Sequence, residues 1–466
     1  MNRINFLEPF LAFLIEKIFL NSNHKNPFLL DRIFKLRFLY DRFPLLKKSL
    51  NIYDSFLNKW LKRASTQLNP KAKLALIKNI LLKSAVTSVN KRKEFEKKYG
   101  FYPPQHIVIS VTARCNLNCK GCWAHRYRGS LDMPLEFLQR IINECREIGI
   151  HFITITGGEP FIRKDLFEIY KRNQDMFFHI YTNGTLIGDK EIKILKDLGN
   201  VGIMISVEGF KEITDKRRGK GVFEKIISVM ESLKKEGITF GYSVTTTREN
   251  VYEVTSQEFV EFMVERGCLV GWYFNYVPIG HNPNPDLMPT PSQRDLSRRR
   301  IYELRKKYPI LLADFWNDGP SVGGCMAGGK RYLHINVNGD VEPCVFCHFA
   351  VDNLKEKSLV EVLNSEFFTE IRKNIPYDGN TLRSCMIIDR PQVLREYLKK
   401  YPAYPTHPGA ESLVKDENIV RALDEYSAEL ARIYDEAWRK GDWEKIFSFF
   451  GDEKEKKIHS QLSASG

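Results

Sequence analysis

Apolar and polar positions change their period along this chain of 466 residues, and the changes divide it into regions. In the first hundred residues the apolar positions recur at helical spacing, with basic side chains opposite. The clearest example runs from Phe28 to Phe43. From about residue 105, short apolar runs alternate with amphipathic helical segments. A region with a second group of cysteines follows, and helical periodicity returns from about residue 415.

Six apolar runs of the second region are predicted to be strands: Ile107–Thr112, Phe152–Thr156, Phe177–Thr182, Gly202–Val207, Thr239–Thr246 and Gly271–Val277. The segments between them that are predicted to be helices are Pro134–Ile148, Asp189–Leu198, Val222–Lys235 and Ser256–Arg266. Regular alternation of strand and helix predicts a parallel sheet, here a partial (β/α)6 barrel like that of the TIM fold. Functional side chains are then expected at the carboxyl ends of the strands.

The predicted fold class is therefore α/β, with additional modules at both ends. Residues 1–100 are predicted to form a basic amphipathic helical module, and residues 101–280 the partial barrel. Residues 281–320 hold several prolines and are predicted to be a linker or lid. Residues 321–390 carry the second cysteine group. Residues 391–466 are predicted to be C-terminal helices, Glu417–Gly441 and Trp443–Phe450, and a frayed tail.

The net charge of +14 is concentrated in the N-terminal module. Residues 1–100 contain 21 Lys and Arg against 7 Asp and Glu, whereas the rest of the chain is balanced. Such asymmetry favours a polyanionic partner, an anionic membrane surface or a nucleic acid, and the membrane is the stronger candidate. A basic helical subdomain packed on the rest of the protein is an equally good interpretation. The apolar stretch Phe6–Leu20 is too short and too charged to span a bilayer.

Three cysteines, Cys115, Cys119 and Cys122, directly follow the first predicted strand with the spacing C-x3-C-x2-C. They supply one thiolate fewer than a closed tetrahedral metal site or a fully protein-held iron–sulfur cube requires, which leaves an open coordination position. A structural zinc site with a distant fourth ligand, or three unrelated buried thiols, are the alternatives. The length of the chain and the lack of a signal-peptide pattern favour metal binding in the cytoplasm over secreted disulfides.

Further motifs stand at the ends of the next three strands. The second strand ends in Gly157-Gly158-Glu159-Pro160, where paired glycines allow close approach to the backbone. The third strand ends at Asn183, and the fourth at Ser206 and Glu208. Together with the cysteine spacing, these motifs resemble those of the radical S-adenosylmethionine (SAM) superfamily.

The resemblance implies a set of ligands and a chemistry. The three cysteines would hold a [4Fe–4S] cluster whose unique iron is chelated by SAM, the segment 157–160 would hold the SAM amino group, and Asn183, Ser206 and Glu208 would contact its methionyl or ribose groups. Reduction by a partner such as ferredoxin or flavodoxin would yield a 5′-deoxyadenosyl radical that abstracts hydrogen from an unactivated C–H bond. One departure concerns adenine: the family has a bulky residue where this chain has Gly121. Trp123 is expected either to make that contact or to pack under the cluster loop.

The second cysteine group consists of Cys325, Cys344, Cys347 and Cys385. Alternation from Tyr332 to Val337 predicts a hairpin strand, with Asn338-Gly339 as the turn. This segment resembles the SPASM/Twitch extension of radical SAM enzymes, which implies one auxiliary [4Fe–4S] cluster. Zinc is the alternative. With Cys347 or Cys385 uncommitted, the cluster would have an open iron.

Other residues with metal-binding or charged side chains are interpreted structurally. Cys145 and Cys268 are expected to be core thiols, and His125 and His348 to be structural histidines. The basic run at residues 216–220 is expected to be a solvated loop.

The substrate is predicted to be a lipid acyl chain, with tail-to-tail carbon–carbon coupling as the reaction, as in bacterial enzymes proposed to make membrane-spanning lipids. That prediction rests on the basic helical module and places the protein on the inner face of the membrane. Peptide or protein maturation is the alternative, because SPASM-type enzymes are best known for it. A role on RNA is disfavoured, and a non-enzymatic iron–sulfur protein is the alternative of a different class.

Overall fold

The computed structural model describes residues 59–124, 132–280 and 282–441. The predictions for the stretches Phe6–Leu20 and Phe28–Phe43, for His125 and for Trp443–Phe450 lie outside these residues. The chain first forms helical residues 59–67, then α1 (Pro70–Ala75), a π-helical stretch (Leu76–Thr87) and α2 (Ser88–Tyr99). No helix in the described ranges is both long and apolar enough to cross a bilayer.

A sheet of nine strands forms the centre of the molecule, in the order β7-β6-β5-β4-β3-β2-β1-β8-β9. Its first seven strands are β1 (His106–Ser110), β2 (Phe152–Thr156), β3 (Phe177–Thr182), β4 (Val201–Ser206), β5 (Phe240–Thr246), β6 (Val270–Asn275) and β7 (Leu311–Asp314). These strands are parallel and neighbour each other in chain order. The six predicted strands and the α/β class are confirmed.

Helices connect the parallel strands and cover the outer face of the sheet. They are α3 (Leu135–Glu147), α4 (Leu166–Arg172), α5 (Asp189–Leu198), α6 (Lys211–Arg218), α7 (Val222–Lys235), α8 (Val251–Val254) and α9 (Gln257–Glu265). Their apolar stripes pack against the strands: in α3, Leu138, Ile141 and Ile142 are completely buried. Burial of each such side chain contributes about 1.5–3 kcal/mol. Cys145 and Cys268 belong to this core, as expected from the sequence.

Residues 281–320, predicted to be a linker or lid, hold regular structure instead. Helix α10 (Pro291–Lys307) begins with a capping box between Thr290 and Gln293, and β7 and the short helix α11 (Gly319–Val322) follow. Two of the prolines that suggested a linker, Pro291 and Pro320, stand at the first turns of these helices, where a proline costs no hydrogen bond. Because β7 pairs with β6, this segment extends the sheet by one strand.

The C-terminal cysteine region joins the same sheet. The predicted hairpin forms from β8 (His334–Ile335) and β9 (Val341–Glu342), with Gly339 at the turn, and β8 pairs in parallel with β1. The remaining elements are β10 (Phe349–Ala350), α12 (Leu359–Leu363), α13 (Glu366–Asn374), α14 (Pro391–Lys400), β11 (Tyr404–Pro405), α15 (Ser412–Lys415) and α16 (Glu417–Arg439). The cysteine region therefore continues the barrel sheet beyond β1 and is no separate lobe.

The described part of the N-terminal module packs against loops at the amino-terminal ends of the strands. The Arg63 guanidinium donates to the carbonyls of Cys268 and Pro309 at 2.7 and 3.1 Å, and Trp60 Nε1 donates to Leu269 O at 2.9 Å. Further along, Asn79 Nδ2 donates to Met176 O at 2.9 Å. These contacts agree with the interpretation of residues 59–99 as a helical subdomain that packs on the enzyme.

Candidate functional site

A cavity of about 350 Å³ lies inside the curved sheet and is called the lumen here. At the carboxyl ends of the strands it is lined by Cys115, Cys119, Cys122, Gly157, Gly158, Asn183 and Ser206. It continues toward the amino ends, where its walls include His106, Phe152 and His179. Since His106 and Phe152 are the first residues of their strands, the lumen runs along most of the length of the sheet.

The end of the lumen at the carboxyl ends of the strands is called its upper end, and the opposite end its lower end. The three cysteines of the first motif lie together at the upper end. Cys115 is exposed, and Cys119 and Cys122 are half-buried. Although Cys115 is exposed as a residue, it lines the lumen, and desolvation of its thiol raises the pKa to about 11. Burial also raises the pKa of Cys122, and neighbouring thiolates add to both shifts. Thiolates so close together need a bound cation to be stable at neutral pH, which is what a metal cluster supplies.

The paired glycines bring the second strand end against the cysteine loop. Gly158 N donates to Thr112 O at 2.7 Å, and Glu159 N donates to Arg114 O at 2.8 Å. A Cβ atom at Gly157 or Gly158 would lie 2.3 or 2.1 Å from those same backbone oxygens, so no other residue fits. The cradle of bare backbone that the sequence predicted is therefore present beside the cysteines.

Glu159 and Pro160 do not reach the lumen, in contrast to Gly157 and Gly158. The Glu159 carboxylate is fully buried, and it accepts hydrogen bonds from Phe161 N, Thr182 Oγ1 and Asn183 N at 2.9, 2.7 and 2.7 Å. Burial raises the pKa of this carboxyl group, and those donors oppose the shift. Glu159 thus ties the second strand end to the third.

Asn183 and Ser206 line the lumen as predicted. Asn183 Nδ2 donates to Asn116 Oδ1 at 2.9 Å, beside Cys115 Sγ at 3.9 Å. Ser206 Oγ lies 3.4 Å from Ser243 Oγ on the next strand. Both side chains offer hydrogen-bonding atoms to a ligand at the strand ends.

Glu208 lies behind the wall of the lumen and holds two arginines that line it. Its Oε1 atom lies 2.6 Å from Arg217 Nη1 and 2.5 Å from Arg218 Nη2, and all three side chains are largely buried. The backbone of Arg217 also bonds to Lys120 in the cysteine loop. The basic run at 216–220 is therefore not a wholly solvated loop, although Lys216 is exposed and pairs with Glu249.

Trp123 packs against the C-terminal cysteine region while it lines the lumen. Its ring stacks on His348 at 5.9 Å between centroids and meets Phe346 and His334 edge-on at 6.0 Å each. At Gly121, where the sequence lacks the bulky residue of the family, φ is +66° and a Cβ would lie 2.7 Å from the ring of Tyr276. Tyr276, which also lines the lumen, fills the space that an aromatic residue at 121 would take.

A buried polar network joins β1 to the second cysteine region. Glu342 Oε2 lies 2.6 Å from His334 Nδ1 and 3.4 Å from His348 Nδ1. His334 Nε2 contacts Ser110 Oγ at 2.8 Å, and His348 Nε2 contacts Trp123 O at 3.2 Å. Because both ring nitrogens of His348 have protein partners, the structural role expected for this residue is supported.

Three of the four cysteines of the second group, Cys325, Cys344 and Cys385, line a small cavity of about 30 Å³, and Cys347 is buried next to them. Burial raises the pKa of Cys344 to about 12 and of Cys385 to about 11. Among the described residues no three His, Cys, Asp or Glu side chains converge on a single-ion site. An enclosed set of thiols alone matches the donor chemistry of an iron–sulfur cluster.

Tyr332 connects the two cavities. Its ring lines the lumen, and its Oη atom lies 2.8 Å from Cys344 Sγ. Phe315 and Met326 line both cavities. One layer of side chains therefore separates the second cysteine group from the lumen.

Two family profiles match the chain at these sites. Residues 109–263 match the radical SAM superfamily, and residues 325–386 match SPASM, an iron–sulfur cluster-binding domain. The chain contains a radical SAM domain. It carries a SPASM domain, so its cofactors are SAM, a [4Fe–4S] cluster and an auxiliary iron–sulfur site. The SPASM match favours iron–sulfur over the zinc alternative.

Relatives of this radical SAM chain include an AdoMet-dependent heme synthase of Methanosarcina barkeri, 26% identical over 303 residues, which are 58% of this chain and 85% of that protein. A PqqA peptide cyclase of Gluconobacter oxydans is 23% identical over 298 residues, covering 61% and 83%. The crystal structure of Streptococcus suis SuiB bound to precursor peptide SuiA shares the fold, with TM-score 0.51, 19% identity, and coverage of 65% and 72%. None of these three proteins is named for a lipid substrate, so they do not support the predicted lipid. The names of two of them, the PqqA peptide cyclase and SuiB bound to SuiA, refer to peptides.

The sequence interpretation missed Arg217, Arg218, Tyr276 and Tyr332 as residues of the site. The aromatic residues carry no local signal because strand and core positions are aromatic in many proteins. For the arginines there was a signal in the sequence, namely Glu208 at the end of a predicted strand. A carboxylate that is buried at such a position needs cationic partners.

Proposed function

We propose that this enzyme removes a hydrogen atom from an apolar carbon of a peptide substrate whose side chain enters the lumen. Cys115, Cys119 and Cys122 would hold the [4Fe–4S] cluster beside the SAM site, and the four thiols of the second group would hold the auxiliary cluster. When bound, the cluster and SAM together supply the hydrogen-abstracting radical. The protein itself binds and orients the substrate and SAM, and it keeps water out of the site.

The observation that carries the proposal is the position of the lumen. The cysteines and the glycine cradle stand at one end, so a group held deeper in the lumen points directly at them. We assign the SAM amino acid group to the backbone at Gly157 and Gly158 and to the polar edge at Asn183 and Ser206. Arg217 and Arg218, whose charge Glu208 offsets, would face the other polar groups of SAM.

The lining of the lumen below the strand ends selects the reacting group. Its walls are mostly apolar, with Trp272, Phe274, Phe315 and Phe346 among them. Among the described residues that line it, the only charged side chains are Arg217 and Arg218 at the upper end. An apolar side chain of a peptide fits there, and the likeness to a peptide cyclase and to a peptide-bound fold neighbour supports this substrate class.

An acyl chain is the second candidate, favoured by the same uncharged lining and by the basic N-terminal module. Much of that module's charge lies in the described segment: residues 59–100 contain 12 Lys and Arg against 2 Asp and Glu. This segment packs beneath the strands, and its lysines Lys62, Lys93 and Lys97 are exposed at its surface. Such a surface suits attachment to anionic lipid.

Anaerobic reconstitution tests the enzyme assignment. With iron, sulfide, SAM and dithionite or reduced ferredoxin, the wild-type protein is expected to form 5′-deoxyadenosine, and Cys119→Ala to reduce it to background because one thiolate of the cluster is lost. Cys145→Ala serves as the control, since this core thiol lies away from the lumen and its loss costs only about 1 kcal/mol of stability. An intact cluster with no 5′-deoxyadenosine from the wild type contradicts the proposal.

A further inference from the structure

Two histidines stand on the walls of the lumen toward the amino-terminal ends of the strands. His106 is the first residue of β1, and His179 is the third residue of β3. The ring of Phe152 lies between them, with centroids 6.0 Å from His106 and 5.4 Å from His179. Both histidines line the lumen, from β1 and β3, the two strands on either side of β2. They are the only histidines among the described residues that line this cavity.

Neither imidazole has a hydrogen-bond partner among the described residues. His106 contacts Tyr332 only by stacking, at 5.2 Å between centroids and 11° between planes. His179 meets Tyr181 edge-on at 5.1 Å. His179 is buried and His106 is half-buried. Polar groups in such positions are normally paired, so two unpaired rings in one largely apolar cavity require an explanation.

Both rings are neutral near pH 7. Burial lowers the pKa of His106 to about 4 and that of His179 to about 3. A neutral imidazole offers one N–H donor and one nitrogen acceptor. The two histidines can therefore bind a substrate group that accepts hydrogen bonds, donates them, or does both. Because the rings are neutral, they provide no charge to balance a carboxylate or an ammonium group.

The rest of the lower lumen sharpens this selection. The neighbouring walls are the rings of Phe152, Tyr181 and Tyr332, and the nearest charged lining residues, Arg217 and Arg218, stand at the opposite end beside the cysteines. An ionised group at the histidines would be desolvated without compensation.

We propose that His106 and His179 bind an uncharged hydrogen-bonding group of the substrate, a carbonyl, amide or hydroxyl, while its apolar part extends along the lumen toward the strand ends. The inference rests on the proposed function, because it assigns the substrate to the same lumen. It makes the two histidines positioning residues that fix how far the reacting carbon extends toward SAM.

Three small probes that differ only in their polar group test this selection. Octanamide, octanoate and octylamine are titrated into the reconstituted protein with SAM and without reductant. Octanamide is expected to bind at least tenfold more tightly than either charged probe, because one lost or unpaired hydrogen bond corresponds to about a tenfold change. Equal or tighter binding of octanoate by the wild type overturns the inference without any variant.

Variants then assign the preference to the histidines. H179F is expected to weaken octanamide binding about tenfold, and H179Q, which keeps an amide in place of the imidazole, to restore most of it. His151 provides a matched control: it is a buried histidine outside the lumen whose Nδ1 atom contacts Asp175 O at 3.1 Å, so H151F should leave octanamide binding unchanged. Wild-type affinity in H179F and H106F overturns the inference.

Two further measurements keep the outcomes separate. Titration of N-acetyltyrosine amide beside octanamide shows whether the apolar part of the substrate is an aromatic side chain or an alkyl chain. Tight binding of either probe that is lost in the histidine variants supports the inference. Formation of 5′-deoxyadenosine by the wild type is measured independently. If it occurs while the probes show no preference, only the histidine assignment fails; if it does not occur, the proposed function fails.

Discussion

A hydrogen atom in place of a side chain at position 121 makes room for the ring of Tyr276 at the upper lumen. The backbone at Gly121 is left-handed, and a Cβ there would collide with that ring at 2.7 Å. We infer that Tyr276 supplies the aromatic surface for adenine, because its ring lies against Gly121 in the cysteine loop, whereas one face of Trp123 is covered by His348. The departure from the family pattern thus moves an aromatic contact from the cysteine loop to the end of β6.

Gly121→Ala is expected to weaken SAM binding about tenfold or more, since it displaces Tyr276 in addition to straining the backbone by about 1 kcal/mol. Equilibrium dialysis with labelled SAM measures the change. Gly100→Ala is the control: this glycine is also left-handed, with φ of +80°, but its Cβ would meet nothing within 4 Å. Equal effects of the two substitutions on SAM affinity would contradict the assigned role of Tyr276.

The hydroxyl of Tyr332 is placed to tune the auxiliary site. A hydrogen bond to a cysteine sulfur stabilises the reduced cluster, so Tyr332→Phe is expected to lower its reduction potential by roughly 40–60 mV, the equivalent of one hydrogen bond. A potentiometric titration followed by electron paramagnetic resonance measures it. Tyr377→Phe is the matched control, because the buried Tyr377 hydroxyl has no hydrogen-bond partner in the described part of the chain. An unchanged potential in Tyr332→Phe would show that the contact has no electronic effect.

At the scale of elements, Arg63 makes several of the hydrogen bonds that hold helical residues 59–67 on the sheet. The Arg63 guanidinium donates to three backbone carbonyls, those of Cys268, Pro309 and Val264. Cys268 and Pro309 lie in the loops that precede β6 and β7, and Val264 lies in α9, so Arg63 fixes the helical residues to the approaches to two strands at once. A sequence pattern shows that Arg63 is basic but not that loops two hundred residues away supply its partners.

Arg63→Ala is expected to lower the free energy of unfolding by about 1–3 kcal/mol, because it leaves buried carbonyls without donors. Denaturant titration of the reconstituted protein measures the loss. Lys62→Ala, at an exposed neighbouring position, should change stability by less than about 0.5 kcal/mol. If both variants unfold alike, the module contributes little to the stability of the barrel.

At the scale of the whole molecule, the two ends of the sheet have different surfaces. The carboxyl ends carry the cysteines and the opening of the lumen, while the basic helices lie beneath the amino ends. If the substrate is a lipid, these helices would hold the protein on an anionic bilayer. If it is a peptide, they serve only as packing, and their charge has no membrane partner.

Vesicle flotation separates these two cases. If the membrane interpretation holds, the wild type floats with anionic vesicles at low salt, and Lys93→Glu/Lys97→Glu weakens binding by at least about 2 kcal/mol, about 1 kcal/mol for each lost lysine. Lys193→Glu/Lys220→Glu, a pair of exposed lysines elsewhere on the barrel, is the control of equal charge. Wild-type protein that stays in the bottom fraction contradicts membrane attachment through this surface.

The alternation of strands and helices was predictable because each element carries its own period of apolar positions. Strands β1 to β6 and helices α3, α5, α7 and α9 lie within a few residues of their predicted bounds. Strand β7 was missed because its four residues are too short for a period and follow a proline-rich segment. The pairing of β8 with β1 could not be read locally, since the two strands are more than two hundred residues apart.

The sequence by itself determined the donor atoms of the site: three closely spaced cysteines, a pair of glycines after the next strand, and four further cysteines. Such features are local, because short spacing and bare backbone act within one loop. Only the tertiary structure decided which polar side chains face the ligand. It turned Glu159 and Glu208 into buried supports, brought Arg217 and Tyr276 to the lumen, and left His106 and His179 unpaired. Burial, charge neutralisation and hydrogen bonding depend on distant neighbours, and the fold alone provides those neighbours.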